Sequence, residues 1–194
     1  MLTPSYGRLD SVGNSLESAP ISDSARVAHS ELKFTISKSR KEILVFDDRH
    51  QTIYVINKRT DFLFNRIILL KESTTNEVLY KAKTHRKLGY IKISSEEYNV
   101  RHLSLPYPKF GFEMYQLNLD KQSFLWVFRQ SEYLKCYKVP SHEVIAQYVY
   151  VDDKTQVGQL LIAKEGMEPK WRALLVITCL IITRHNLCCS RKLI

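Results

Sequence analysis

The sequence predicts an all-β protein, a closed or nearly closed antiparallel barrel of about twelve strands around a buried hydrophobic C-terminal helix. Three observations predict it. Apolar and polar residues alternate with a period of two from residue 31 to about 163, turn-forming residues separate the alternating segments, and one uncharged apolar run follows residue 169. Consecutive strands with no helix between them pair as antiparallel hairpins. So many strands must split into two sheets or close into a barrel.

The first 30 residues differ from the rest of the chain. They contain seven serines, two prolines and no run of apolar residues. Such a segment buries too little surface to offset the entropy lost on ordering, so we expect residues 1–30 to be disordered. They also lack the apolar stretch of a secretory signal peptide, which makes a cytoplasmic location the expectation. Their charged residues balance nearly to zero, so the net charge of +9 belongs to the folded part.

Twelve segments between residues 31 and 163 have the composition of strands. They are rich in Val, Ile, Phe, Tyr and Thr, and residues typical of turns separate them, such as Asp47–Asp48 and the stretch 118–120. The predicted strands are 32–37, 42–46, 51–56, 62–71, 78–84, 89–94, 100–105, 110–117, 124–129, 133–138, 143–151 and 158–163.

The period of two ends before the C-terminal segment. Residues 173–183 carry no charge and are apolar on every side, which is typical of a helix that is buried all round. Pro169 suits the first helical turn, where its missing N–H costs nothing. We predict a helix over about 170–186 and a basic tail over 188–194. A buried strand and a tail anchor are the alternatives, although eleven helical residues extend only about 16 Å, half a bilayer core.

The order of these segments resembles the tubby C-terminal-like superfamily, which includes tubby proteins, phospholipid scramblases and plant LURP-one-related proteins. More specifically, the chain resembles a family of small fungal proteins of unknown function. The resemblance covers about 62–186 and rests on the stretches 64–71, 77–82, 123–126, 144–148, 158–162 and 174–182. It implies a barrel around a central helix and brings no catalytic residues. Phosphoinositide binding in tubby proteins raises the expectation of a lipid ligand.

One predicted strand carries cations in alternate positions. Lys81, Lys83, His85 and Lys87 share one parity, whereas Tyr80, Ala82 and Thr84 take the other, so the cations should face outward together. The candidate lipid-binding residues are Lys81, Lys83, His85, Arg86, Lys87, Lys92 and Arg101. Each Lys or Arg near an anionic membrane contributes about 1 kcal/mol. The alternative is an ordinary solvated face of a basic protein.

No motif points to catalysis, a metal or a cofactor. His142–Glu143 lacks the second histidine of a zinc-protease helix, because residue 146 is alanine. The pairs Asp47–Asp48 and Asp152–Asp153 lack the further oxygen ligands that calcium needs, so turns explain them better. Only six glycines are present, and they form no phosphate-binding loop.

The four cysteines fall into two groups. Cys136 and Cys179 stand in apolar strings, which predicts buried, unreactive thiols. Cys188 and Cys189 follow the predicted helix beside basic residues and are candidate acylation sites, with plain tail residues as the alternative.

Three functions fit these observations. The first is a non-enzymatic module that binds anionic phospholipid through the basic strand, as a peripheral membrane protein. The second is a protein-interaction or structural domain with an unknown partner and no lipid. The third, single-stranded nucleic-acid binding, needs exposed aromatic side chains beside the cations, and only Tyr90 near Lys92 fits that requirement.

Overall fold

The computed structural model describes residues 31–38, 42–62, 65–85, 88–106, 114–129, 133–150, 156–163 and 167–190. These residues form twelve strands and one helix. The strands are β1 (Glu31–Lys38), β2 (Glu42–Phe46), β3 (Thr52–Thr60), β4 (Arg66–Glu72), β5 (Val78–His85), β6 (Tyr90–Ser95), β7 (Val100–Pro106), β8 (Met114–Leu119), β9 (Gln122–Arg129), β10 (Tyr133–Val139), β11 (Glu143–Tyr150) and β12 (Gln156–Ala163). The helix α1 spans Pro169–Ser190.

All twelve strands belong to one antiparallel sheet with the order β7-β6-β5-β4-β3-β2-β1-β12-β11-β10-β9-β8. Every neighbouring pair is a hairpin between consecutive strands, except that β1 pairs with β12 and thereby joins the two halves. The sheet curls until β7 and β8 lie beside each other, which produces a nearly closed barrel. The predicted fold class is therefore confirmed.

The barrel interior holds the helix. Every residue of α1 from Ala173 to Thr183 is buried, so the helix is covered on all sides, as its uncharged run predicted. Leu175, Ile177 and Ile182 are at most 2% exposed. The core around them is made by the inward residues of the strands, such as Tyr80 of β5.

The two threonines in the buried part of the helix are hydrogen-bonded within the core. The Thr178 hydroxyl donates to the Leu174 carbonyl oxygen at 2.8 Å, and the Thr183 hydroxyl donates to the Cys179 carbonyl oxygen at 2.8 Å. The indole N–H of Trp126 in β9 donates to Thr178 Oγ1 at 3.0 Å. This bond fixes α1 against β9 within an otherwise apolar core.

Two hairpin turns are built without glycine. Asp120 and Lys121 connect β8 to β9, and both have positive φ, of 48° and 62°. Two successive positive φ values are the geometry of a tight turn whose twist matches the strands. Between β2 and β3, Asp47 Oδ1 accepts backbone N–H groups of Arg49 and Gln51 at 3.0 and 2.8 Å. The expectation that Asp47–Asp48 serves as a turn is confirmed.

Several predicted boundaries were wrong; β3, for example, ends at Thr60 and not at residue 56. The strand predicted to begin at residue 62 begins at Arg66, because Asp61 and Asn65 close a turn through an Asn65 N–H···Asp61 Oδ1 bond of 2.8 Å. The strand predicted to end at residue 117 continues to Leu119. The helix ends at Ser190 and not at 186, so it includes the start of the predicted tail, since no glycine or proline follows Asn186 to stop it.

A second, smaller apolar cluster lies on the outer side of the sheet. Val127, Tyr137, Val144 and Ala163 come from β9 to β12 and are buried although they face away from the core that contains the helix. Lys135 between them is only 5% exposed. The period of two does not predict this burial, because outward positions of a barrel are normally solvated.

Both cysteines in apolar strings are buried, as predicted. Cys136 and Cys179 have no exposed surface. Burial raises the pKa of each thiol well above its usual range, and the mutual proximity of the two adds to the pKa of Cys136. Neither thiol is therefore a reactive thiolate.

Candidate functional site

The candidate site is the outer surface of three adjacent strands, β5, β6 and β7. These strands contain three lysines, one arginine and two histidines, and no aspartate or glutamate. We call the set Lys81, Lys83, His85, Lys92 and Arg101 the basic face. A sheet surface with cations and no carboxylate on three successive strands presents one sign of charge outward.

The parity predicted for β5 is confirmed. Tyr80, Ala82 and Thr84 are buried, whereas Lys81 is exposed and Lys83 is half-buried. The Tyr80 hydroxyl reaches the helix and donates to the Lys170 carbonyl oxygen at 3.2 Å. The contact of the inward tyrosine with α1 fixes which side of β5 carries the cations, since a shift of one residue would place the lysines in the core.

The sheet register brings cations of different strands together. Lys83 stands directly opposite Lys92 of β6, and Lys81 stands opposite Ser94. Directly opposite residues have Cβ atoms about 5 Å apart, and residues two apart on one strand are about 7 Å apart. Between Ile93 and Ser95 the pairing with β7 shifts register by one extra residue, which exposes both Arg101 and His102.

The carboxylate of Asp61 contacts the basic face, while Glu96 and Glu97 are exposed in the turn that joins β6 to β7. Asp61 Oδ2 accepts a hydrogen bond from Lys83 Nζ at 2.8 Å, as an ion pair. This bond, together with the bonds that Asn65 donates, lowers the pKa of Asp61 to about 2. Asp61 is therefore ionised at neutral pH and offsets the repulsion between Lys83 and Lys92. Lys81 and Lys92 form no ion pair within the described part of the chain.

Rings line the outer side of β5 to β7 beside the lysines. His85 stacks on Tyr90 with centroids 5.0 Å apart and planes at 28°, and Tyr90 meets His102 at 6.3 Å. Tyr90 is half-buried by these neighbours. These three rings form a row along one side of the basic face.

The structure does not describe the side chains of four predicted site residues. Arg86 and Lys87 fall in the gap between β5 and β6. Cys188 and Cys189 lie in the last turn of α1, but their side chains are not among those described. The acylation hypothesis for these two cysteines therefore stays a prediction.

Two residues of this surface escaped the sequence reasoning. Arg59 of β3 is exposed and pairs with Ile67, which in turn pairs with Lys83, so Arg59 extends the row of Lys83 and Lys92 across the sheet. Sequence analysis did not identify Asp61 as a site residue, because an aspartate between two strands is typical of a turn. Neither position could be found from sequence, since both depend on the lateral neighbours of β5.

The described residues also bear on metal and cofactor chemistry. Within the ranges given above, no group of three His, Cys, Asp or Glu side chains is placed to hold a metal ion. His142 stands in the turn before β11 with φ of 55°, and Ala146 is a buried strand residue. The pair Asp152–Asp153 lies outside the described residues. Among the described helical residues, none forms a segment that is both long and apolar enough to cross a membrane.

Comparison with known proteins yields a structural relationship. No protein-family model matches the chain, and no curated protein matches it. An X-ray structure of a protein from Arabidopsis thaliana superposes on it with a TM-score of 0.57 at 10% sequence identity. The superposition covers 82% of this chain and 93% of the plant protein. At such low identity the likeness concerns the fold alone.

Proposed function

We propose that this protein is a non-enzymatic, tubby-like domain that binds anionic phospholipid at a membrane surface through its basic face. The observation that carries the proposal is the absence of any carboxylate from β5, β6 and β7, combined with outward cations on all three strands. An anionic headgroup layer is a flat, negatively charged partner, and it matches a broad sheet face better than a cleft.

The energetics fit a reversible peripheral interaction. Each Lys or Arg near an anionic surface contributes about 1 kcal/mol, so Lys81, Lys92 and Arg101 together supply about 3 kcal/mol. Lys83 contributes less, because Asp61 already holds its ammonium group. Attraction of this kind is screened beyond about 8 Å at physiological ionic strength, so binding should weaken steadily as salt is added.

The test is co-sedimentation with vesicles of phosphatidylcholine and phosphatidylserine. The double variant K81E/K92E reverses the charges of exposed Lys81 and half-buried Lys92. It should weaken binding at least about 30-fold, since about 2 kcal/mol or more is lost. The matched control K121E/K138E changes the net charge equally at exposed positions away from the basic face. If the control variant loses as much affinity as K81E/K92E, net charge and not the basic face drives binding.

A second variant tests the role of the bordering carboxylate. Asp61→Asn removes one negative charge and releases Lys83, so the affinity for the same vesicles should rise about five-fold. An unchanged or lower affinity would mean that Lys83 does not face the membrane.

The remaining two functions are outcomes of the same experiment. If the protein ignores acidic vesicles at low salt but binds a single-stranded oligouridylate, the ring row of Tyr90 beside Lys92 acts as a stacking platform for bases. If it binds neither, the domain is a protein-interaction module, and the basic face is an ordinary solvated surface.

A further inference from the structure

An open cavity of about 310 Å³ lies at the end of the barrel where the helix begins. Leu32 and Phe34 of β1 and Ile53 of β3 give it apolar walls, and Arg172 of α1 reaches into it. This volume is at the lower limit of pockets that hold small molecules. The cavity opens near β1 to β3 and is separate from the basic face on β5 to β7.

Arg172 is placed unfavourably for stability. Its Nε atom is buried and has no hydrogen-bond partner among the described residues. It also stands one turn inside the N-terminus of α1, where the helix dipole is positive, and the first turn carries no acidic residue to offset it. A buried donor without an acceptor costs free energy. A cation at the positive end of a helix is also unfavourable unless an anion neutralises it.

The other charged groups that line the cavity do not cancel the positive charge of Arg172. Lys33 and Arg49 add two cations, against the two carboxylates of Asp47 and Asp48. One oxygen of Asp47 already accepts two backbone N–H groups of its own turn. Tyr54 supplies a phenol whose pKa burial raises to about 12, while the Arg172 charge acts in the opposite direction. Tyr54 therefore stays a neutral donor at physiological pH.

We propose that this cavity binds a small amphipathic anion, a carboxylate or phosphate group on a short apolar chain, with the oxyanion held by Arg172. The terminal N–H groups of the guanidinium lie side by side and match two oxygens of either group, whereas the Nε atom is enclosed by protein. The apolar chain lies against Leu32 and Ile53, which are only half-buried without it.

The first test needs no ligand. In Tris chloride free of other anions, Arg172→Met removes the buried donor and the cation while it keeps an unbranched apolar side chain. We expect the melting temperature to rise by about 2–4 °C, the shift that corresponds to relief of one such penalty in a chain of this size. A fall in the melting temperature would mean that the guanidinium serves the fold, and this would overturn the proposal.

The second test is titration calorimetry with three probes. Octanoate and octyl phosphate should bind, and the tighter of the two identifies the headgroup, whereas octan-1-ol, of the same length but uncharged, should not. Arg172→Gln should weaken binding of the better probe at least about ten-fold, and Arg66→Gln, the same change at an exposed position of β4, should leave it unchanged. If neither anion binds, if octanol binds equally, or if both variants behave alike, the assignment of the cavity is wrong.

Discussion

At the scale of single residues, a strand glycine has a role that only the register reveals. Gly158 of β12 has φ of 154°, and it lies where the pairing of β1 with β12 shifts beyond Ile36. A Cβ atom there would stand 2.4 Å from the Tyr148 hydroxyl oxygen and 2.6 Å from the Val149 carbonyl oxygen. The sequence placed this residue in a strand correctly. It could not reveal the irregular pairing, which depends on a partner more than a hundred residues away.

Gly158→Ala should therefore destabilise the protein strongly. The new methyl group meets backbone as well as side-chain atoms, so overpacking and backbone strain should together lower the free energy of unfolding by about 2–4 kcal/mol. Gly89→Ala is the matched control, because Gly89 also has positive φ, 71°, but has nothing within 4 Å of an added Cβ. Urea unfolding should give a loss of about 1 kcal/mol there. Equal losses in the two variants would exclude the close contact as the cause.

At the scale of elements, the helix was the most predictable part of the chain. Eleven uncharged residues after a proline predicted a helix buried all round, and Ala173 to Thr183 are all buried. The role of Thr178 was hidden, because its partner Trp126 lies in β9 and no local pattern connects them. Buried polar contacts between distant elements depend on which residues the fold brings together. Hydrophobic periodicity along the sequence does not report that proximity.

Thr178→Val should show what this contact contributes. Valine keeps the shape of threonine but removes the acceptor, so the buried indole N–H of Trp126 loses its partner, at a cost of about 1–3 kcal/mol. Thr183→Val is the control, since the bonds of the Thr183 hydroxyl within the described part of the chain go to carbonyl oxygens of its own helix. We expect its effect to stay within about 0.5 kcal/mol in the same denaturant titration. A larger loss at 183 than at 178 would contradict an anchoring role for the Trp126–Thr178 bond.

At the scale of the whole molecule, local signals predicted the hairpins but not the closure. Twelve strands and their turns follow from the alternation of residues and from turn chemistry, as does the outward direction of Lys81 and Lys83. The pairing of β1 with β12, which unites the two halves, has no local signature. The same limit applies to the candidate site, because Arg59 and Asp61 join the basic face only through lateral register.

The pairing of β1 with β12 starts at the first described residue of the chain. Residues 1–30 lie outside the described residues, and Glu31, the first residue of β1, already pairs with Ala163. Deletion of residues 1–30 leaves all twelve described strands in place. Because this segment has no run of apolar residues, its loss should change the melting temperature by less than about 2 °C. Deletion through residue 38 is the control. It removes β1, the strand that joins β2 to β12, and should abolish cooperative unfolding.

A marked loss of stability after deletion of residues 1–30 would point to one particular surface of the barrel. The outer cluster of Val127, Tyr137, Val144 and Ala163 is buried on the side of the sheet that faces away from the helix. Ala163 of this cluster pairs with Glu31, the first described residue of the chain. A fall of more than about 5 °C after deletion of residues 1–30 would identify that segment as its cover, because uncovering several apolar side chains costs about 1–2 kcal/mol or more. Increased binding of a hydrophobic dye to the deletion variant would then locate the exposed surface.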